Sequence, residues 1–430
     1  MRSFPHLPGP SLSGTDRGVD STRLVSTILI ASVIYQAVLA LIHTHLYHTS
    51  AQVVALTEVL IYLACVLVLA RRIKLEFVAI MALVFAYLVL LSIFRNALEL
   101  KGFRDIVIPL LFFWLGRHVA DIRYADRILR ILVITVVIVG LFELFFLPQY
   151  TRLLNIFSYY VSTGTVTIDT NFISDSALNL NGLRPEGIGR TVFPSLLGPH
   201  RISSVFLEPV SLGNFAVIVA AWGLSKSAAD YKNMLFFLLS ALSLVALSDS
   251  RYGLIVVTLL VAMRIFVKGR FNRIVIILPL ISIAALLLVG SLYKGGLADN
   301  IMGRLFWTGD TLLTFDVAKL SGVQGFDIPY GDMGYAYLLS RWGVLLCLTL
   351  WGALWMIKMK DACGERFRAY AALYISLILT VSGTSFFALK TAGLLWFLVG
   401  SCAGGCAKKV PRACRTDTRE TAESELNYAS

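Results

Sequence analysis

Charge is what this sequence has least of. Only 15% of its 430 residues are Asp, Glu, Lys or Arg, against 57% hydrophobic, and its mean hydropathy is +0.77. A soluble chain of this length divides into domains whose charged surfaces keep it dissolved, and too few charges are present to cover them. Soluble enzymes, DNA-binding domains and disordered scaffolds are therefore excluded, and the composition is that of an integral membrane protein. Cysteine is sparse as well. Cys65 and Cys347 fall in apolar runs, while Cys363, Cys402, Cys406 and Cys414 lie near basic segments toward the C-terminal end. That pattern implies no disulfide framework, and the last three, with no histidine nearby, fit no zinc module, so reduced structural thiols are expected. Proline is rare inside the apolar runs, where only Pro109 and Pro279 occur, and no internal repeat or low-complexity tract is present. The polar start of the chain, with Pro5, Pro8 and Pro10, lacks the pattern of a cleaved signal peptide.

What the sequence does have is long apolar runs. A hydrocarbon core about 30 Å thick requires about 20 apolar residues per helix. About twelve runs approach that length: 24–42, 51–70, 77–94, 106–116, 132–147, 210–224, 234–247, 253–267, 274–292, 333–357, 369–384 and 391–403. The expected fold is all-α, a polytopic bundle over 24–403, with a polar N-terminal segment 1–23 and a disordered tail 404–430. With the first residues inside, the inward segments hold 25 Lys and Arg and the outward ones 12. The positive-inside rule then puts both termini in the cytoplasm, and the net charge of +12 reports topology before any acidic partner.

Two outward segments are long, 148–208 and 293–332. Loops of that length are usually functional. The glycines, prolines and arginines of the first, among them Gly182, Arg184, Pro185, Arg190, Pro199 and Arg201, predict irregular backbone against the bundle. The second mixes Leu305, Phe306, Trp307, Leu312 and Phe315 with Arg304 and Asp310, which predicts a short amphipathic helix at the outer interface.

Three stretches could carry chemistry. In the first, from His200 to Gly213, Arg201 and Glu208 stand before a helix start with Pro209 in its first turn. There a guanidinium fork and helix N–H groups suit an anion, while the plainer reading is an interfacial Arg201–Glu208 pair. In the second, Ser248-Asp249-Ser250-Arg251, the charges either pair to fix a tight turn or direct Arg251 at an anionic ligand. In the third, Asp332 enters the tenth run either as a helix cap or as a carboxylate base for a sugar hydroxyl. His43, His45 and His48 suit a polar interface turn better than a metal site. Glu58, Glu143 and Arg341 lie within apolar runs, where a charge must pair or face a cavity.

Together these stretches resemble the bacterial polysaccharide polymerase and O-antigen ligase superfamily over roughly Arg184 to Gly343, and xanthan-type exopolysaccharide polymerases in particular. Arg201, Ser204, Phe206, Pro209 and Gly213 match one motif, and Ser250 with Arg251 matches a second. Where the ligases carry a His-Asn pair entering a late helix, this chain has Asp332 and Met333, a departure that favours a polymerase. The resemblance implies glycosyl transfer at the periplasmic face of the inner membrane, from an oligosaccharide on undecaprenyl diphosphate to a second lipid-linked chain. It further implies a catalytic set of Arg201, Arg251, Asp332 and Glu208, with Arg184, Arg190, His200 and Arg304 binding substrate. Flippase and chain-length or export proteins are the partners it implies. Because the outward segments hold arginines and no Asp-x-Asp pair, arginine rather than a metal is expected to meet the diphosphate, with no cofactor. The bases rank Asp332, then Glu208, then His200. A flippase or other transporter is the main rival, though no related halves are visible, prolines in the runs are few and much of the unusual sequence sits in the two long loops; a non-catalytic export scaffold would not require the outward arginines.

Overall fold

The computed structural model describes residues 16–70, 74–166, 191–267, 269–293, 301–324 and 330–404. The helices of the first half are α1 (Asp16–His45), α2 (Ala51–Ala70), α3 (Leu75–Arg95), α4 (Leu100–Val119), α5 (Ile122–Phe145), α6 (Leu147–Leu153), α7 (Ile156–Ser162), α8 (Pro194–Leu197) and α9 (Pro209–Ser225). They are followed by α10 (Tyr231–Ser248), α11 (Arg251–Phe266), α12 (Leu278–Leu292), α13 (Ile301–Leu313), α14 (Val317–Ser321), α15 (Gly334–Met356), α16 (Ala362–Ile378), α17 (Thr384–Phe387) and α18 (Leu389–Cys402). Among the described residues the only β pairing is a single bridge between Met359 and Ala403. The all-helical expectation therefore holds.

Among the described residues, seven helical stretches are long and apolar enough to cross a membrane: Thr22–His45, Ala51–Ala70, Leu75–Arg95, Ile122–Phe145, Ala228–Ser248, Arg273–Leu292 and Gly334–Met356. The chain is thus a multi-pass membrane protein. The other five expected runs are also helical, as α4, α9, α11, α16 and α18, but shorter or more charged. Charge explains two displaced boundaries. α4 begins at Leu100 and carries Lys101, Arg104 and Asp105 in its opening turns, and α16 runs over Ala362–Ile378 rather than 369–384 because Glu365 and Arg368 pair on its surface.

α9 is the centre of the bundle. Apart from Glu208 at its cap and Val210, it is buried on every side, against α10, α11, α16 and α18. A helix apolar all round has no face to give water, so burial is its stable state. Lipid-sized apolar surface lies instead on α2 and α3, where Leu60, Leu67, Leu83 and Ile93 are exposed.

α4 packs against α18 backbone to backbone. A Cβ on Gly116 would fall 2.1 Å from the Phe397 carbonyl oxygen, and one on Gly400 would fall 2.0 Å from that of Phe113. Small residues permit this approach, which supplies van der Waals contact where no hydrophobic force separates helix from lipid.

α15 is broken inside the bundle at Gly343 (φ 69°, ψ 161°). The carbonyls freed there are met by side chains from α3: Arg95 donates to Ser340 O at 2.9 Å and Arg341 O at 2.5 Å, and Tyr87 donates to Trp342 O at 2.9 Å. Arg95 Nε also reaches Gly322 O at 2.6 Å, tying the outer loop to the same joint. The tenth expected run is thus one helical stretch with a kink inside it.

Of the stretch expected to be irregular, Gly182, Arg184, Pro185 and Arg190 lie outside the described residues, and in 191–203 only α8 is regular. The described part of 148–208 contains α6, α7, α8 and a 3-10 turn at Ser204–Phe206, with Tyr150, Tyr159 and Tyr160 buried. The amphipathic helix expected in the second loop is α13, which exposes Met302, Trp307 and Leu313 and turns Gly309 onto Gly290 of α12.

Two glycines test this packing. Gly400→Ala should destabilise by about 1–3 kcal/mol or more, because backbone lies where its methyl must go. Gly352→Ala, with nothing within 4 Å, should be neutral or slightly stabilising. Thermal unfolding of the detergent-purified variants, followed by the protein remaining in the monodisperse peak, checks both.

Candidate functional site

The site begins with a carboxyl group that the sequence leaves inside an apolar run. Glu143, in the last turn of α5, is fully buried and accepts the backbone N–H of Ser203 at 3.0 Å and that of Ser204 at 2.6 Å, together with the Ser203 hydroxyl at 3.1 Å. Tyr150 donates to Ser204 O at 2.7 Å, and Ser204 Oγ donates to Val136 O at 2.7 Å. These bonds hold two residues in left-handed backbone, Ser204 (φ 51°) and Leu207 (φ 60°). Such conformations cost non-glycine residues about 1–3 kcal/mol each, so the surroundings must over-determine the turn.

Upstream of the turn, Ile202 N–H donates to Leu247 O at 3.0 Å and Arg201 Nε donates to Ser248 O at 3.1 Å. Both acceptors lie at the C-terminal end of α10, where a cation complements the helix dipole. Asp249 accepts the N–H groups of Thr191 and Val192 at 3.0 and 2.8 Å, and Arg251 Nε donates to Thr191 Oγ1 at 2.9 Å. Ser250 caps α11 by accepting from Gly253 N. Gly213 of α9 abuts that cap: a Cβ there would fall 2.4 Å from Ser250 Oγ. Arg201, Gly213, Ser250 and Arg251, separated in sequence, thus meet in one knot, with both arginines partly exposed. The Nη groups of Arg251 make no hydrogen bond with the described residues.

Downstream, Glu208 is the N-cap residue of α9 and Pro209 occupies the first helical position, as expected. The salt-bridge partner of Glu208 is not Arg201. It is Lys390 of α18, whose Nζ lies 3.3 Å from Glu208 Oε2 and donates to Phe206 O at 2.9 Å and Gln36 Oε1 at 2.8 Å. Ser211 Oγ donates to the same carboxylate at 2.8 Å. Burial alone would push Glu208 up, but the Lys390 ammonium and the Ser211 hydroxyl hold it below the usual carboxylate value.

The remaining candidates lie elsewhere or play other parts. His200 is buried, with Nε2 3.8 Å from Glu143 Oε1. Asp332 is exposed in the turn one residue before the N-cap of α15, which is Met333, so the capping alternative does not hold. That turn is fastened by Gly383 and Thr384, whose N–H groups donate to Gly331 O. Arg304 is on α13. Arg184 and Arg190 lie outside the described residues, as do Cys406 and Cys414.

The intramembrane charges all pair. Glu58 accepts from Tyr35 at 2.7 Å and faces Arg104 at 3.7 Å; Arg104 donates to Asp105 at 2.8 Å, and Tyr337 donates to the other Asp105 oxygen. Arg341 pairs with Glu99 and lies over the Tyr337 ring, 4.3 Å from its centroid. His43 accepts from Thr49 N–H through Nδ1 and meets Ser158 Oγ through Nε2, both at 3.0 Å, so it is a buried structural group while His45 and His48 are exposed. Among the described residues, no three His, Cys, Asp or Glu side chains are grouped as metal ligands would be.

Sequence reasoning missed Lys390 and Gln36. The signal for Lys390 was a lone cation at the entry to the last apolar run; for Gln36 there was none.

Replacing Glu143 tests the turn. Glu143→Ala strands two buried N–H groups and should cost about 3 kcal/mol or more, whereas Glu143→Gln keeps one acceptor oxygen and should cost less. Thermal unfolding of the two variants beside the parent reads the order.

Comparison with known proteins finds no match: no family model, no curated protein and no solved structure is similar to this chain. By its own helices it is a multi-pass membrane protein with an arginine knot at the mouth of its central helix.

Proposed function

We propose that this protein is an exopolysaccharide polymerase of the bacterial inner membrane. It joins oligosaccharide repeat units carried on undecaprenyl diphosphate, at the periplasmic face, by metal-independent glycosyl transfer. The observation that carries the reading is the meeting of Arg201 and Arg251 around Ser248, Ser250 and Gly213, beside the α9 mouth. These are the residues on which the resemblance to polysaccharide polymerases and O-antigen ligases rests. In the topology this implies, α1 to α5, α9 to α12, α15, α16 and α18 make twelve passes, and both ends of the chain are cytoplasmic. The 25-to-12 asymmetry in Lys and Arg supports it.

In the transfer, an acceptor hydroxyl attacks carbon one of the donor sugar. The bond from that carbon to the diphosphate oxygen breaks, and undecaprenyl diphosphate leaves with the electron pair. Arg201 and Arg251 meet the charge that develops on it, as fixed donors do best in a site with little water. The hydroxyl proton passes to Asp332, the exposed carboxylate of the set. Glu208, engaged by Lys390, and His200, buried beside Glu143, are poorer bases. The resemblance further implies that Arg184, Arg190 and Arg304 bind the substrate. A ligase-like transfer to another acceptor uses the same chemistry.

One observation favours transport instead. α15 is broken at Gly343 beside buried Arg341, and broken helices mark the midplane sites of transporters. Arg95 closes the freed carbonyls, which fits a fixed joint better than an ion site.

Purified protein in liposomes, given a lipid-diphosphate-linked repeat unit, should yield a ladder of products and released undecaprenyl diphosphate. Monomer moved across the bilayer with no new bond would establish the transport reading. Arg201→Ala and Arg251→Ala should each lower product about a hundredfold or more in correctly inserted protein, with poor rescue by Lys, which cannot make the two-pronged contact. Full activity in either Lys variant, or loss on EDTA treatment that Mg²⁺ reverses, would overturn the arginine mechanism.

A further inference from the structure

The turn between Arg201 and Glu208 is clamped from two sides. Glu143 and Tyr150 hold its first half, at Ser203 and Ser204. Its second half has one tie to the far side of the bundle, Lys390, which reaches the Phe206 carbonyl and the Glu208 carboxylate from a single Nζ atom. Leu207 stands in left-handed backbone between those two contacts. The ammonium is itself fixed by Gln36 of α1, and 97% of Lys390 is buried. A buried ammonium so placed is costly unless its geometry is used, and every donor direction seen here is aimed at the turn or at its support.

We propose that Lys390 is a positioning residue of the transferase: by holding Phe206 O and Glu208 together it fixes the segment that carries Arg201 to the mouth of α9. The inference rests on the polymerase reading given above. The pair is local. The charged and titratable groups facing it are Tyr159 and Tyr160 of α7 toward Glu208, and Glu58 of α2 toward Lys390; Ser211 is on the same helix as the carboxylate.

The test uses Lys390→Met, Lys390→Arg and Lys390→Met/Glu208→Gln in the full chain, with liposome polymerisation measured across pH 5 to 9. Misplacement of the turn should cost Lys390→Met about tenfold or more in rate at neutral pH. Without its cation the half-buried Glu208 takes up a proton at higher pH and loses its charged hold at the start of α9, so the loss of rate on acidification, the acid limb of the profile, should begin about one unit or more higher than in the parent, whichever group is the base. Lys390→Arg should restore the position of that limb. Wild-type rate and limb in Lys390→Met would overturn the proposal, as would a lowered rate with an unmoved limb, which a purely structural lysine would give.

Thermal unfolding separates failure of this inference from failure of the polymerase reading. In the parent the Glu208 pKa is lowered, so its contribution is present above the usual carboxylate value and lost as pH falls through the lowered one. In Lys390→Met the sign reverses for this group, and acidification from pH 8 to 5.5 should raise the unfolding midpoint by more than it does in the parent or in the double variant. If no protein makes polymer but this pattern is found, the polymerase reading fails and the tie stands. If the pattern is absent, the tie fails whatever the activity.

Discussion

A backbone N–H that leaves a helix inside an apolar bundle has no water to turn to, and the chain between His200 and Pro209 leaves helical geometry there twice. Glu143 makes that possible. Its carboxyl group takes the N–H groups of Ser203 and Ser204 and so allows a non-helical turn to sit among α1, α5 and α9. The position of Arg201 against α10, the start of α9 at Glu208 and the contact of Gly213 with Ser250 all depend on where that turn is held.

The same requirement explains the other charges of the bundle. Glu58, Arg104, Asp105 and Tyr337 form one connected set from α2, α4 and α15, and Arg95, Glu99 and Arg341 form a second around the break in α15. Neither set is a surface salt bridge of small worth. Asp105, Arg95 and Arg341 are placed where removing a partner would strand a charge in a medium of low dielectric constant, which is the expensive case. The arginine knot differs from both sets, because Arg251 there is engaged through Nε and a threonine hydroxyl rather than by a carboxylate.

Apolar length made α1, α2, α3 and α5 legible in the sequence, since each is a near-continuous run. The boundaries of α4 and α16 were not, because charges that read as loop are helical once partners from distant helices neutralise them, as Tyr337 and Arg104 do for Asp105. The break at Gly343 had no readable signal either: its stability comes from Arg95, remote in the chain, and glycine is common in unbroken membrane helices. At the site, Arg201, Gly213, Ser250 and Arg251 could be picked out because their residue types and order form a pattern. Glu208 could be picked out too, but its partner could not, since one lysine at the start of the last run carries no mark of where its ammonium will go.

The intimate pairing of α4 with α18 bears on biogenesis. During synthesis the N-terminal part of a chain emerges first. When α4 is made its charges already have partners on earlier helices, Arg104 in Glu58 of α2 and Arg117 in Glu76 of α3, but the backbone faces at Gly116 and Phe113 are those on which α18 later lies. Its mate, α18, lies far along the chain. The close contact between the two helices can therefore form only after the helices between them have been made, and the glycine faces of Gly116 and Gly400 meet late in assembly.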